Sequence, residues 1–381
     1  MARVLVLGGG FGGVSTAVEL RKTLGDEHEI ILVDRSPTFL MGLRKLWDLV
    51  EMGTIEAGSR DLRTLQGRGI RYEQREILAI DSAGRSVATE SGTLTADYLV
   101  VALGCEARPD LVPGLSEYGH NVWDVSGVAR AKSALDLFEG GRIVVAITGM
   151  PYTCPPAPFE CSMLLDDHLR ARGIRDRASI TVTTPKPMLL PNAGVEGSRW
   201  LAEQLTPRDI AYQTCREVHH VEEGRIDCGD TGVEFDLLLG VPPHRPPRVV
   251  AESDLAGPGG WVAVDSGTFE TGHENVFGIG DITKVSLANG LPLPKAGVMA
   301  DLQGQRVAAD IAARIEGTES PSLFDGRGFC FLEMSKSTAA LIEGHFYARP
   351  EPRVSVGAES EAHADRKHRF ESDRLERWFG E

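Results

Sequence analysis

Arg3-Val-Leu-Val-Leu7-Gly8-Gly9-Gly10-Phe11-Gly12-Gly13 is the stretch that decides the fold. A short apolar run is followed at once by a glycine-rich turn and then by a helical pattern through Leu24. Strand, tight turn and helix in that order suit a dinucleotide pyrophosphate. Gly8 permits the turn, Gly10 lets the backbone approach the anion, Gly13 allows close helix packing, and the helix start offers free N–H groups. Glu29-Ile-Ile-Leu-Val33 then predicts a second strand. It ends in Asp34, a ribose-binding carboxylate a little beyond the typical spacing of about 20 residues. Arg35 reads as a solvated neighbour of that ribose.

Outward from this unit, residues 37–69 are less regular. Met41, Trp47 and Met52 are expected either over the ring of the bound cofactor or in the core. Ile77-Leu-Ala-Ile80-Asp81 predicts a strand whose backbone meets the adenine. Thr93 to Leu103, closed by Gly104, predicts the strand that returns beneath the nucleotide.

Ile143-Val-Val-Ala-Ile147-Thr-Gly149 begins a second βαβ pattern, with helices over 160–172 and 197–205, a strand over 179–184 and a last strand over 235–240. The glycines of the first copy are missing here. Gly149-Met-Pro-Tyr-Thr-Cys154-Pro-Pro-Ala-Pro-Phe-Glu160 replaces them, and proline has no N–H to give a phosphate.

Residues 241–247 read as the linker back to the first unit. Val276-Phe-Gly-Ile279-Gly280-Asp281 is an apolar strand ending in an acid, and Pro294-Lys295-Ala296-Gly297 opens a helix through Ile315. The expected architecture is α/β, with two tandem Rossmann-like units and a small C-terminal α+β part. The first unit takes 1–105 with 259–315, the second 106–258, and the last 316–381. In the last part a hairpin, a Pro/Gly/Ser-rich connection over 350–362 and a final helix are expected.

The formal net charge of −15 over 381 residues argues against nucleic acid. No apolar run reaches the roughly 20 residues of a membrane span, so a cytoplasmic protein is expected. Phe370, Leu375, Trp378 and Phe379 leave two destinations for the tail: shallow contact with a membrane surface, or docking on the protein itself or a dimer partner. Six cysteines without C-x-x-C spacing, and a His219-His220 pair without neighbouring ligands, predict no metal. Cys105 and Cys161 read as small core residues, and Cys215 and Cys228 carry no assignment.

Taken together, Gly8-x-Gly10-x-x-Gly13, Gly280-Asp281 and the two-fold βαβ plan resemble the pyridine nucleotide–disulfide oxidoreductase superfamily. Cys154-Pro-Pro-Ala-Pro-Phe-Glu160, Pro294-Lys295-Ala296-Gly297 and Phe329-Cys330 resemble two of its branches more narrowly: the flavoprotein subunit of flavocytochrome c sulfide dehydrogenase, and sulfide:quinone oxidoreductase. The resemblance implies FAD, with Asp281 near the ribityl chain and the helix start at Lys295, Ala296 and Gly297 facing the pyrimidine end of the ring. It implies a redox-active disulfide between Cys154 and Cys330, attacked by hydrosulfide, with Glu160 as acid/base. Two buried thiols that never pair are the plain alternative.

The sequence departs from those branches in two places. Pro37-Thr-Phe-Leu-Met41 lacks the cysteine that would hold FAD covalently, so non-covalent FAD is expected. Trp123 stands where many quinone-linked members carry a third cysteine. The expected function is FAD-dependent oxidation of sulfide or a related sulfur compound, with a quinone or an electron-carrier protein as acceptor. Phe329, Phe331 and Phe346 are candidates for a quinone slot or for plain core. Two other functions remain open: an NAD(P)H-dependent flavin reductase of the type II NADH dehydrogenase or ferredoxin reductase kind, and a flavin-binding redox sensor without turnover.

Overall fold

The structure is a computed structural model and describes residues 1–380. Arg3–Leu7 is the middle strand of a five-stranded sheet in the order Val276–Gly278, Tyr98–Val101, Arg3–Leu7, Glu29–Asp34, Arg71–Gln74, with every pair parallel. Val4, Leu5, Val6 and Leu7 are fully buried. A strand covered on both faces has no polar side to show, which is why the run is continuous rather than alternating. The helix after the glycine turn spans Phe11–Thr23.

The strand expected over 93–103 is two strands. Gly92–Thr95 joins an antiparallel sheet with Ile77–Asp81 and Ser86–Thr89, whereas Tyr98–Val101 enters the central sheet. The chain changes sheets at Ala96-Asp97, where Asp97 Oδ2 accepts from Arg3 N at 2.7 Å.

A second five-stranded sheet repeats the plan in the order His120–Asn121, Leu237–Val241, Gly141–Ile147, Ala178–Thr183, Ile210–Gln213, again parallel throughout. Its first helix spans Ala157–Ala171, three residues earlier than the sequence reading placed it. Prolines at the helix start remove only N–H groups that would lack an intrahelical partner anyway, so Pro155 and Pro156 lead into the helix and Pro158 lies within its first turn. The helix expected over 197–205 likewise starts early, at Gly194. Glu106–Ala107 pairs antiparallel with His244–Arg245, zipping together the two chain crossings between the sheets.

The C-terminal part holds an antiparallel sheet of Arg327–Glu333, Ala339–His345 and Arg353–Val356. The last strand lies inside the stretch read as an irregular connection. The final helix, Glu361–Phe379, docks on the chain itself. Phe370, Leu375 and Trp378 are buried, and Trp378 meets Phe11 and Phe39 edge-on at 5.5 and 5.4 Å between ring centroids. Fully buried Asp301 receives Arg374 at 2.9 Å, Ser15 Oγ at 2.6 Å, and Arg377. Of the two destinations left open for the tail, its own surface is the one occupied. Among the described residues no helix is long and apolar enough to cross a membrane.

Candidate active site

Cys154 lies in the loop between the strand Gly141–Ile147 and the helix Ala157–Ala171, with φ at +55°. A left-handed backbone costs a residue with a Cβ about 1 kcal/mol, so the conformation needs support. Cys154 N donates to Lys295 O at 2.7 Å, and Ala157 N donates to Cys154 O at 2.9 Å. The first of these bonds ties the loop to the segment that opens the helix Gly297–Glu316.

Cys330 arrives on the strand Arg327–Glu333, opposite Ile342. Both cysteines are free thiols. Cys330 Sγ donates to Phe331 O at 3.5 Å, and the nearby Cys330 thiol, followed by burial, pushes the Cys154 thiol well above its ordinary pKa.

Glu160 sits in the first turn after the cysteine loop and is buried. Its Oε1 accepts from Lys367 Nζ at 2.6 Å and from Glu333 N at 2.9 Å. Lys367 also donates to Glu333 Oε2 at 2.7 Å, and Trp47 Nε1 donates to Glu333 Oε1 at 2.7 Å. Burial raises the pKa of the Glu160 carboxyl against the pull of Lys367. Burial works to lower that of Lys367, but the two carboxylates outweigh it and leave the ammonium group firmly charged. Trp47 therefore serves this network and the core. Met41 is buried in the core, and Met52 packs against core residues.

A cavity of about 360 Å³ joins the glycine turn to the cysteine pair. Of the residues expected around a cofactor, Gly10, Gly104, Gly280, Asp281, Lys295, Ala296 and Gly297 line it, together with Cys154, Cys330 and Glu160. Gly8, Gly13, Asp34, Arg35 and Ile77 do not. Gly8 and Gly13 shape the turn: a Cβ on Gly8 would meet Ala102 O at 2.3 Å, and one on Gly13 would meet Gly8 O at 1.8 Å. Asp34 accepts from Gly9 N at 2.5 Å and from Ser36 N at 2.7 Å, fixing the same turn. Arg35 is exposed and faces Glu106 and Glu76 at 3.0 and 3.7 Å. Ile77 is buried at the start of its strand in the outer antiparallel sheet.

The walls fit a flavin dinucleotide. Nothing lies within 4 Å of the direction a side chain on Gly10 would take, leaving the backbone of the turn open. Asp281 Oδ1 is buried without a hydrogen-bond partner, and burial raises the pKa of its carboxyl. A buried acceptor of this kind is costly unless donors such as the hydroxyls of a ribityl chain reach it. Lys295 Nζ is already committed to Asp281 O and Thr283 O, both at 2.6 Å, and lies over the Trp261 ring at 3.8 Å. Its amine braces the Gly280-Asp281 turn.

Three wall residues escaped the sequence reading of the site or stood there only as a departure. Lys367 comes from the terminal helix. Lys45 donates to Trp123 O at 2.7 Å; burial lowers its pKa, with the charge of Cys154 the largest opposing influence. Trp123 Nε1 donates to Thr153 Oγ1 at 3.0 Å and Thr153 O at 3.2 Å, pinning the residue before Cys154. Phe331 and Phe370 also line the cavity, whereas Phe329 and Phe346 line a second one that touches Cys330.

Cys161 is buried in the core and its thiol is pushed up to about 12 by burial. Cys105 is half-buried and Cys215 exposed, and neither lines the cavity. His219 and His220 both face Asp227, at 3.7 and 3.8 Å. Among the described residues no cluster of three or more ligating side chains suits a metal.

The chain is similar to the mitochondrial sulfide:quinone oxidoreductase of Mus musculus, 26% identical over 367 residues, covering 91% of this chain and 79% of that protein. It is also similar to a type II NADH:quinone oxidoreductase of Staphylococcus haemolyticus, 21% identical with 83% of each covered. The solved structure of the sulfide:quinone oxidoreductase from Aquifex aeolicus superposes on 100% of this chain and 92% of its own, with a TM-score of 0.90 at 23% identity. Residues 2–300 match the pyridine nucleotide-disulphide oxidoreductase family, and with that span, the paired parallel sheets and the glycine turn in place, the chain belongs to it.

Proposed function

We propose that the chain oxidises sulfide or a related small sulfur compound at Cys154 and Cys330, and passes the electron pair through non-covalently held FAD to a quinone or an electron-carrier protein. The observation that carries this reading is the meeting of two cysteines 176 residues apart in the wall of the cavity that also holds Gly10, Gly280 and Asp281. When bound there, the flavin supplies a two-electron acceptor beside the sulfurs. No cysteine stands in residues 37–41, which supports a non-covalent mode.

The residues divide the work. In the oxidised pair, hydrosulfide bonds to Cys330 Sγ, the sulfur–sulfur bond to Cys154 breaks, and Cys154 leaves as a thiolate. Cys330 is taken as the target because its sulfur reaches both cavities and so stays accessible for removal of the product sulfur, whereas Cys154 lines the flavin cavity alone. Lys367 stabilises the thiolate, as its charge works to lower the Cys154 pKa. Glu160 Oε1 is held by Lys367 and Glu333, so Oε2 is the oxygen that takes a proton from the incoming sulfide. The thiolate is the competent species for passing electrons onward.

The reading with NAD(P)H as reductant draws support from the type II NADH:quinone oxidoreductase relative. Against it, the loop after the strand Gly141–Ile147 leaves little room for a pyrophosphate. A Cβ on Gly149 would meet the Pro243 ring at 2.8 Å, and Pro151, Pro155 and Pro156 offer no N–H to a pyrophosphate. Anaerobic mixing separates the two. Sulfide is expected to bleach the flavin absorbance of the holoprotein while NADH leaves it unchanged, and the reverse pattern removes the proposal. A redox sensor without turnover predicts bound FAD but no sulfide-dependent reduction of a quinone or cytochrome c.

A further inference from the structure

Three lysines line the flavin cavity, Lys45, Lys295 and Lys367, with no arginine or histidine among the described residues of its wall. Two of the three are already answered. Lys367 is shared between Glu160 and Glu333 at 2.6 and 2.7 Å, and on Cys154 the opposing push of Glu160 is larger than its pull. Lys295 gives two of its N–H groups to Asp281 O and Thr283 O. Among the described residues Lys45 makes one hydrogen bond, to Trp123 O at 2.7 Å, and no ion pair. An ammonium group has three donors, so two stay free beside Leu43, Leu46 and Val122 in the wall.

Trp123 ties this cation to the cysteine loop. Its carbonyl holds Lys45, and its Nε1 donates to Thr153 Oγ1 at 3.0 Å and to Thr153 O at 3.2 Å, one residue before Cys154. Of the acids around Lys45, Asp124 is spent on its own helix, where Oδ1 accepts from Gly127 N at 2.6 Å and Ser126 Oγ at 2.8 Å. Asp281 and Cys105 act on Lys45 more weakly than Cys154, whose thiolate is the strongest attraction that it feels.

We propose that Lys45 is the counter-charge of the Cys154 thiolate and so decides which sulfur of the disulfide leaves. The proposal rests on the sulfide-oxidising reading above. A cation in a largely apolar wall is costly until an anion faces it. When the sulfur of hydrosulfide bonds to Cys330 Sγ, the bond from Cys330 Sγ to Cys154 Sγ breaks and its electron pair stays on Cys154 Sγ. The negative charge that arrives on hydrosulfide thus ends beside Lys45, and no outside oxidant or reductant is needed.

The test uses the FAD holoprotein carrying Cys330→Ser, which leaves Cys154 as a single thiol in the site. It is titrated anaerobically over about pH 6–10. Two signals are followed: the long-wavelength absorbance that a thiolate gives against oxidised flavin, and the rate of alkylation of Cys154 by iodoacetamide, located by peptide mass mapping. Glu160 and Lys367 face the sulfur in every variant alike, and His244, brought down to about 4 by burial, stays neutral throughout. Lys45→Met and Lys45→Gln are each expected to raise the midpoint by about one unit or more, a tenfold loss of thiolate at fixed pH, with Lys45→Arg close to the unaltered lysine. For a variant that loses FAD, alkylation is read against the flavin-free protein with Lys45 intact. A midpoint that Lys45→Met does not move overturns this inference alone. So does a Lys45→Gln midpoint equal to that of the unaltered lysine, since glutamine keeps a donor for Trp123 O and lacks only the charge. If sulfide fails to bleach the flavin of the protein with both cysteines, the sulfide-oxidising reading falls and the leaving-group role falls with it.

Discussion

Lys367 in the terminal helix donates to Glu160 Oε1 at 2.6 Å, joining residues 207 positions apart in the wall of the cysteine cavity. The same ammonium group donates to Glu333 Oε2 at 2.7 Å, and Glu333 lies on the strand that carries Cys330. One buried cation thus ties together the helix after Cys154, the strand of Cys330 and the tail. Docking of the tail through Phe370, Leu375 and Trp378 is what delivers it.

Replacing Lys367 by Met leaves two carboxylates buried without their cation. A loss of about 3–5 kcal/mol in unfolding free energy is expected, measured by urea denaturation at pH 7, with part of it restored by Lys367→Arg. The pKa of Lys367 is raised from 10.5 by folding. Its stabilisation is therefore full below pH 10.5 and is lost only as pH climbs through the folded value. The gap between wild type and Lys367→Met should stay constant over pH 7–9, and a gap that shrinks across that range would count against this role.

Glu160 has its pKa raised above 4.5 by burial. If its carboxylate takes the proton of the incoming sulfide, the rate of flavin bleaching by sulfide rises with pH along a limb lying above pH 4.5. Glu160→Gln should flatten that limb and slow bleaching by about 10²-fold or more at its plateau. A limb that survives in the Gln variant belongs to another group, or to the sulfide itself.

Asp281 carries a buried oxygen without a partner and a raised pKa. In the flavin-free protein it is a liability: stability is lost as pH rises from 3.8 through the folded pKa. Asp281→Asn should therefore raise the melting temperature of the flavin-free protein at pH 7 while reducing the flavin retained per chain on purification. Higher stability with unchanged flavin affinity would show that the carboxylate does not face the cofactor.

Trp123→Phe keeps an aromatic ring but removes the donor that holds Thr153 O and Oγ1. Loss of about 1 kcal/mol of loop positioning should slow sulfide bleaching by roughly fivefold, with flavin content unchanged. Trp123→Ala should slow it further, because the packing against Tyr152 is lost as well.

The glycine turn, both βαβ patterns and the unusual proline-fenced loop at Cys154 were legible because each depends on a few adjacent residues, whereas Glu160 entered only through a resemblance. Cys330 was legible only through a resemblance, since nothing local marks one cysteine on a strand as the partner of another. Lys367 was hidden for a physical reason. Arg366-Lys367-His368-Arg369 looks like a solvated helix face, and only docking of the tail against the distant cavity buries one of its cations. The strand Arg353–Val356 was masked by Pro350, Pro352 and Gly357 around it. Proline at its start costs nothing there, because an edge strand has N–H groups that pair with no neighbour.

The central claim is that Cys154 and Cys330 form the redox pair which carries electrons from sulfide to the flavin, and the most direct measurement is anaerobic stopped-flow mixing of the FAD holoprotein with sulfide, followed by flavin absorbance. The account predicts rapid bleaching in wild type and its loss in both Cys154→Ser and Cys330→Ser, each with flavin still bound. Full bleaching in either serine variant would contradict it.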